Sequence, residues 1–262
     1  MAALIVLSLT LVRPAVAQVA QTDDDWCRQS YSGRQASYCE VREESVAGLP
    51  TLVDVDGGQN GGISVEAWDR QEVAVRTRIV GVADTDEEAR QVASEVRITT
   101  DGGRIRAEGP SRDGDRNWWV SWRVSVPREM PLRLNAYNGG ISVTGVRSAI
   151  DLETHNGGLH LTDLGGHVRA ETQNGGVTVA LTGARWDGDL LDVETTNGGV
   201  RLTLPEGYAA HLEAGTTNGA IRIDFPITVQ GRINRSISTD LNGGGPTIRV
   251  TTRNGGVRVE RR

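Results

Sequence analysis

The sequence predicts an all-β fold: a single-stranded β-solenoid built on Asn-Gly-Gly turn repeats, with one short helix in its N-terminal part. Three observations carry that expectation. Asn-Gly-Gly or Asn-Gly-Ala occurs at Asn60, Asn138, Asn156, Asn174, Asn197, Asn218, Asn242 and Asn254, and from Asn138 the spacings are 18, 18, 23, 21, 24 and 12 residues. Periods near twenty mark stacked supersecondary units. Asn138, Asn156, Asn174, Asn197, Asn218 and Asn254 are flanked on both sides by aliphatics at every second position, the pattern of strands with one buried face. Finally, hydrophobic residues make up 37% of the chain but aromatics only 4%, which suits a narrow interior filled by Val, Leu and Ile.

The first element, residues 1–17, reads as a signal peptide. Ala2 to Val12 are almost all apolar, and Ala15-Val16-Ala17 offers a small-x-small cleavage site before Gln18. The run is too short for a membrane span, and no other stretch approaches ~20 apolar residues, so the mature chain is expected to have no transmembrane segment. Export, to the periplasm or the cell surface, follows. Residues 18–45 contain Cys27 and Cys39, the only cysteines. In an exported chain this pair is expected to form one structural disulfide, stabilising by roughly 3 kcal/mol in the chain-entropy model. No His lies nearby to make a metal site, and the spacing is not that of a redox Cys-x-x-Cys.

Residues 46–262 form the expected solenoid domain. Its first part, Val46 to Pro131, is irregular. A turn at Asn60 precedes Ile63 and Val65, and alternating strands such as Val73 to Ile79 follow. Thr85 with Glu88 makes a capping box, and Ala89, Val92, Ala93 and Val96 recur at helical spacing, so one short helix is expected there. Strands resume around Val96 to Ala107 and Trp118 to Val126. No linker divides the chain, and the N-terminal part is read as an irregular cap.

From Leu132 the repeat is regular. Leu132 and Leu134, Ile150 and Leu152, Val168 and Ala170, and Leu191 and Val193 stand six and four residues before their Asn. Three and five after it stand pairs such as Leu159 with Leu161 and Val200 with Leu202. A small residue, usually Thr, stands two before the Asn. The Asn-Gly-Gly itself is read as a sharp bend needing positive φ, which Gly and, less readily, Asn supply. Asn138, Asn156, Asn174, Asn197, Asn218 and Asn254 are expected to form a side-chain ladder between equivalent turns. Asn-Gly between apolar runs is also a hairpin signal; recurrence at one phase favours stacking. Stacking would set Arg169 between Asp151 and Asp192, and would leave Val257 to Val259 as an open final edge.

The strand Val120-Ser121-Trp122-Arg123-Val124-Ser125-Val126-Pro127, the helix with Glu87, Glu88 and Ala89, and units ending in Thr-x-Asn-Gly-Gly resemble the bacterial putative adhesin family, a domain of unknown function related to the head domain called GIN. The resemblance runs from about Ala47 to Val259. It implies a solenoid-like domain at the cell envelope, with no catalytic residue to carry over.

Little in the chain points to chemistry. The net charge is −6, and the 28 basic residues are all arginines scattered along the sequence; nucleic acid is therefore not expected as a partner. His155 aligns with Tyr137, Gln173, Thr196, Thr217 and Arg253 across repeats, the variability of a solvated face. Glu153, Glu171 and Glu194 form a carboxylate row, read mainly as solvated and secondarily as a contact for a ligand. Catalysis would need two carboxyls in different environments. Trp118 and Trp122 share one strand face and are candidate surface contacts, although covering the end of the core is the plainer role. No cofactor, metal site or catalytic residue is expected. The functional expectation is a non-catalytic, exported, adhesin-like module that presents its solenoid surface to an envelope protein or glycan. A polysaccharide-active β-helix enzyme and a component of envelope-stress signalling are the alternatives.

Overall fold

Asn60, Asn138, Asn156, Asn174, Asn197, Asn218 and Asn254 each close one coil: a strand, a turn at the Asn, and a second strand on the opposite sheet. The computed structural model describes residues 25–28, 35–226 and 235–262, so the expected signal segment 1–17 lies outside the described residues. Coil 1 is Val53–Asp56 with Ile63–Trp68, coil 2 Leu132–Ala136 with Ile141–Thr144, and coil 3 Arg147–Thr154 with Leu159–Thr162. Coil 4 is Gly165–Asn174 with Val177–Ala180, and coil 5 Gly188–Asn197 with Val200–Leu204. Coil 6 is Ala210–Asn218 with Ile221–Ile223, and coil 7 Thr247–Asn254 with Val257–Arg261. All first strands join one sheet and all second strands another, with parallel register between coils.

In-register stacking carries each aliphatic position into a continuous row. Leu132, Ile150, Val168, Leu191, Ile248 and Leu212 form one such row. Ile141, Leu159, Val177, Val200, Val257 and Ile221 form its counterpart on the other sheet. Apart from the half-buried Ile221 at the edge, which packs against it, these residues belong to a single core, and a fully buried aliphatic contributes about 1.5–3 kcal/mol. Outside, Arg169 lies between Asp151 and Asp192.

Coils do not stack in chain order. Coil 7 inserts between coils 5 and 6 in both sheets. The strand Val257–Arg261 is therefore internal, correcting the expectation of an open edge there; Ile221–Ile223 is the sheet edge instead. Arg249 of coil 7 bonds Glu213 at 2.7 Å and Asp192 at 3.4 Å. The N-terminal end is also out of order. Arg104–Glu108 and Asn117–Pro127 form a coil that stacks on coil 1, on the side away from coil 2. Asn242 is not a ladder member. It takes a left-handed φ of 46° in the connection before coil 7, and its Nδ2 donates to the Tyr208 carbonyl.

Two antiparallel strands, Ala74–Ala83 and Ala36–Ser45, extend the second sheet past Asn117–Pro127. Thus the latter half of segment 18–45 is the edge strand of this sheet. The helix Asp86–Glu95 packs on this extension, with Thr85 Oγ1 accepting from the Glu88 N–H at 3.2 Å. Gly81 permits the approach, because a Cβ there would stand 2.3 Å from the Ala89 carbonyl oxygen. Arg42 satisfies the helix's last carbonyls, donating to Val96 O at 2.7 Å and Ala93 O at 3.2 Å.

Cys27 and Cys39 are disulfide-bonded. The bond ties the short helix Asp25–Arg28 to the edge strand and seats Trp26 over Arg123, whose guanidinium lies 4.0 Å from the ring centroid. Reduction, or Cys27→Ser with Cys39→Ser, is expected to cost about 3 kcal/mol and to release Trp26. A red shift in tryptophan emission with a lower unfolding midpoint would register both.

Candidate functional site

The Thr-x-Asn-Gly-Gly turn is a set of interlocking contacts between coils. Asn amides form a continuous chain: Asn138 Nδ2 donates to Asn60 Oδ1 at 3.0 Å, and Asn156, Asn174 and Asn197 each donate to the preceding Asn at 2.8 Å. Asn254 then donates to Asn197, and Asn218 to Asn254, both at 2.8 Å. Two residues earlier, buried threonines bond the neighbouring coil. Thr154 Oγ1 donates to the Gly139 carbonyl at 2.8 Å and Thr172 Oγ1 to that of Gly157 at 2.7 Å, with Thr195, Thr216 and Thr252 repeating the contact.

The glycines act differently from expectation. None of the glycines following the seven ladder asparagines has a left-handed φ. Their turns stay hydrogen-bonded from coil to coil, as in Asn174 N–H to His155 O at 2.8 Å. The first glycine is required because the neighbouring backbone is too close for any side chain: a Cβ at Gly139, Gly157, Gly175 or Gly198 would lie 2.0 Å from a carbonyl oxygen of the adjacent coil. Close approach, not turn handedness, explains the residue.

On the first sheet, beside this ladder, Glu153, Glu171 and Glu194 align in register and are exposed. The Glu171 carboxyl is held above its ordinary value by burial, then by the charges of Glu194 and Glu153. Because the folded state holds this proton more tightly than the unfolded chain, the associated stability is greatest in acid and is lost as pH rises through the carboxylate range. Glu171→Gln is expected to flatten the urea midpoint's fall between about pH 4 and 6.

Next to the row, Tyr137 and His155 stack with ring centroids 4.6 Å apart and planes within 4°. Tyr137 is 51% exposed. The pair lines an open groove of about 560 Å³ with Asp56, Gln59 and Glu153. Sequence reasoning placed both residues at one repeat position but did not read them as a pair; equal phase in successive coils was the signal.

Trp118 and Trp122 do not present free surface. Trp122 is 1% and Trp118 8% exposed, since their strand face turns into the core. Trp118 Nε1 donates to the Pro110 carbonyl at 2.9 Å beneath the Arg112 guanidinium. Elsewhere, His211 Nδ1 lies 2.7 Å from Asp240 Oδ1 and its Nε2 3.2 Å from Ser238 Oγ. That is the order of a hydrolase triad, but on an open strand pair, where the Asp240 side chain is 63% exposed to competing water. Among the described residues no cluster of His, Cys, Asp and Glu could hold a metal ion, and no helix is long and apolar enough to cross a membrane.

Comparison with known proteins gives one family. The model of the family described as Toastrack DUF4097 matches residues 53–260. The chain is similar to the crystal structure of a putative cell adhesion protein from Clostridium sporogenes ATCC 15579, with 11% identity, TM-score 0.45, and coverage of 87% of this chain and 100% of that one. It is also similar to a putative adhesin from Bacteroides fragilis NCTC 9343, with 10% identity, TM-score 0.45, and coverage of 86% and 97%. No curated protein matches the sequence.

Proposed function

This chain belongs to the Toastrack DUF4097 family, and from that premise we propose that it is an exported, non-catalytic, adhesin-like binding module for an envelope protein or glycan. The carrying observation is the exposed Tyr137–His155 stack beside Glu153, held on a hydrogen-bonded ladder. Binding surfaces gain from rigid support beneath exposed aromatics, because little side-chain freedom is left to lose. Glu171 and Glu194 extend the same surface along the stack. The disulfide supports residence in an oxidising compartment.

The test is crosslinking in the native envelope from a photoreactive residue at position 137, with a second at Ser236, exposed at the opposite edge of the first sheet. A discrete adduct from 137 alone, reduced by Glu153→Gln, is the expected result. Equal or absent capture at both positions contradicts the reading.

A hydrolytic reading has the Ser238–His211–Asp240 contacts behind it. Covalent labelling by a fluorophosphonate, lost in Ser238→Ala, would establish it; the exposure of Asp240 argues for no labelling.

A further inference from the structure

On the second sheet, the other side of the Asn ladder carries a different surface. The second residue after each ladder Asn is Gly176, Gly199, Gly256 or Ala220 in coils 4, 5, 7 and 6, so a strip of the wall there is nearly bare backbone. Two residues further along each strand, the outward position is Thr178, Arg201, Arg258 and Arg222 in stacking order. The three arginines come from coils 5, 7 and 6, on three adjacent strands with Arg258 of the inserted coil 7 in the middle. Together with the bare strip they line an open trough of about 540 Å³.

Charge in the trough is cancelled only in part, one carboxylate facing three guanidinium groups. Glu260 pairs with Arg258 and lies 3.9 Å from Arg201. Among the described residues, Arg222 has no ion pair. Glu260 and Asp224 lie in the next outward row and do not line the trough. Three arginines on strands about 4.8 Å apart, beside a floor bearing nothing larger than the Ala220 methyl, form a line of planar donors suited to carboxylate or sulfate groups.

We propose that this trough binds a linear acidic polysaccharide, lying along the stack with its carboxylate or sulfate groups on Arg201, Arg258 and Arg222. Charge density favours this over nucleic acid. Duplex DNA carries one charge per ~1.7 Å and demands many basic contacts, whereas this site has three on a chain of net charge −6. The site is separate from the Tyr137 groove, so it stands or falls independently of capture there.

The experiment titrates the disulfide-bonded full chain with polygalacturonate, a heparin oligosaccharide and neutral dextran, and adds anionic phospholipid vesicles and single-stranded DNA. The expected result is salt-sensitive binding to at least one acidic polysaccharide and none to dextran. Arg222→Gln with Arg258→Gln should weaken it tenfold or more. Ala220→Leu should weaken it similarly without changing charge, by filling the trough at a position that already bears a side chain. Unchanged thermal unfolding would show that both variants fold. No polysaccharide binding, binding indifferent to these substitutions, or tighter binding to vesicles or DNA would overturn the proposal.

Discussion

Gly157→Ala is expected to destabilise the chain by about 3 kcal/mol or more, whereas Gly158→Ala should change stability by less than ~1 kcal/mol. The two residues are neighbours in one turn, but they meet different surroundings. A Cβ on Gly157 would stand 2.0 Å from the Gly139 carbonyl oxygen, which already accepts the Thr154 hydroxyl at 2.8 Å. Backbone cannot yield as a side-chain tip would, so coils 2 and 3 must separate, weakening the amide ladder and the threonine contact together. A Cβ on Gly158 would stand 3.2 Å from the Gly176 oxygen, and coil 6 carries Ala220 at the equivalent position. Thermal unfolding reads the contrast: a Tm fall on the order of 10 °C for Gly157→Ala and little change for Gly158→Ala. Equal effects would mean that the glycines serve turn geometry and not close stacking.

Removal of residues 246–262 is expected to unfold the C-terminal third rather than trim an end. Coil 7 buries Ile248, Val250, Val257 and Val259, each at most 1% exposed. At about 1.5–3 kcal/mol per buried aliphatic, the loss rivals the 5–15 kcal/mol that holds an ordinary domain together. Coil 6 touches the rest of the stack through coil 7, so Ala210–Asn218 and Ile221–Ile223 lose their parallel neighbours at the same time. Hydrogen exchange should show amides from 210 to 223 unprotected in the truncated chain. Native-like protection there would mean that coil 6 packs directly on coil 5.

Much of the fold was legible because it is written locally and repeatedly. Alternating aliphatics announce strands, Thr85 with Glu88 announces a helix start, and the phase of Asn138, Asn156 and Asn174 announces a ladder. The order of the coils was not legible. Every coil presents the same apolar rows to either neighbour, so periodicity cannot distinguish coil 6 from coil 7 as the partner of coil 5. The motif at Asn242, left out of the expected ladder, shows the same limit: the same three residues serve a left-handed turn there and an extended stack elsewhere. The glycine requirement was hidden because it depends on a backbone in another coil. The arginine row could have been found, since Arg201, Arg222 and Arg258 each stand four residues after their Asn; dispersion along the chain concealed their common phase. Trp118 and Trp122 were assigned to one face correctly, but which face is buried depends on the sheet they join.

Inter-label distance tests the stacked, out-of-order coils most directly. Ser64, Arg258 and Arg222 lie in one outward row, with Arg258 five strands from Ser64 and Arg222 six. Spin labels at 64 and 258 should be about 24 Å apart, and those at 64 and 222 about 29 Å, at ~4.8 Å per strand. The same two distances in reverse order would contradict the insertion of coil 7, and broad distributions bearing no relation to that spacing would contradict the solenoid itself.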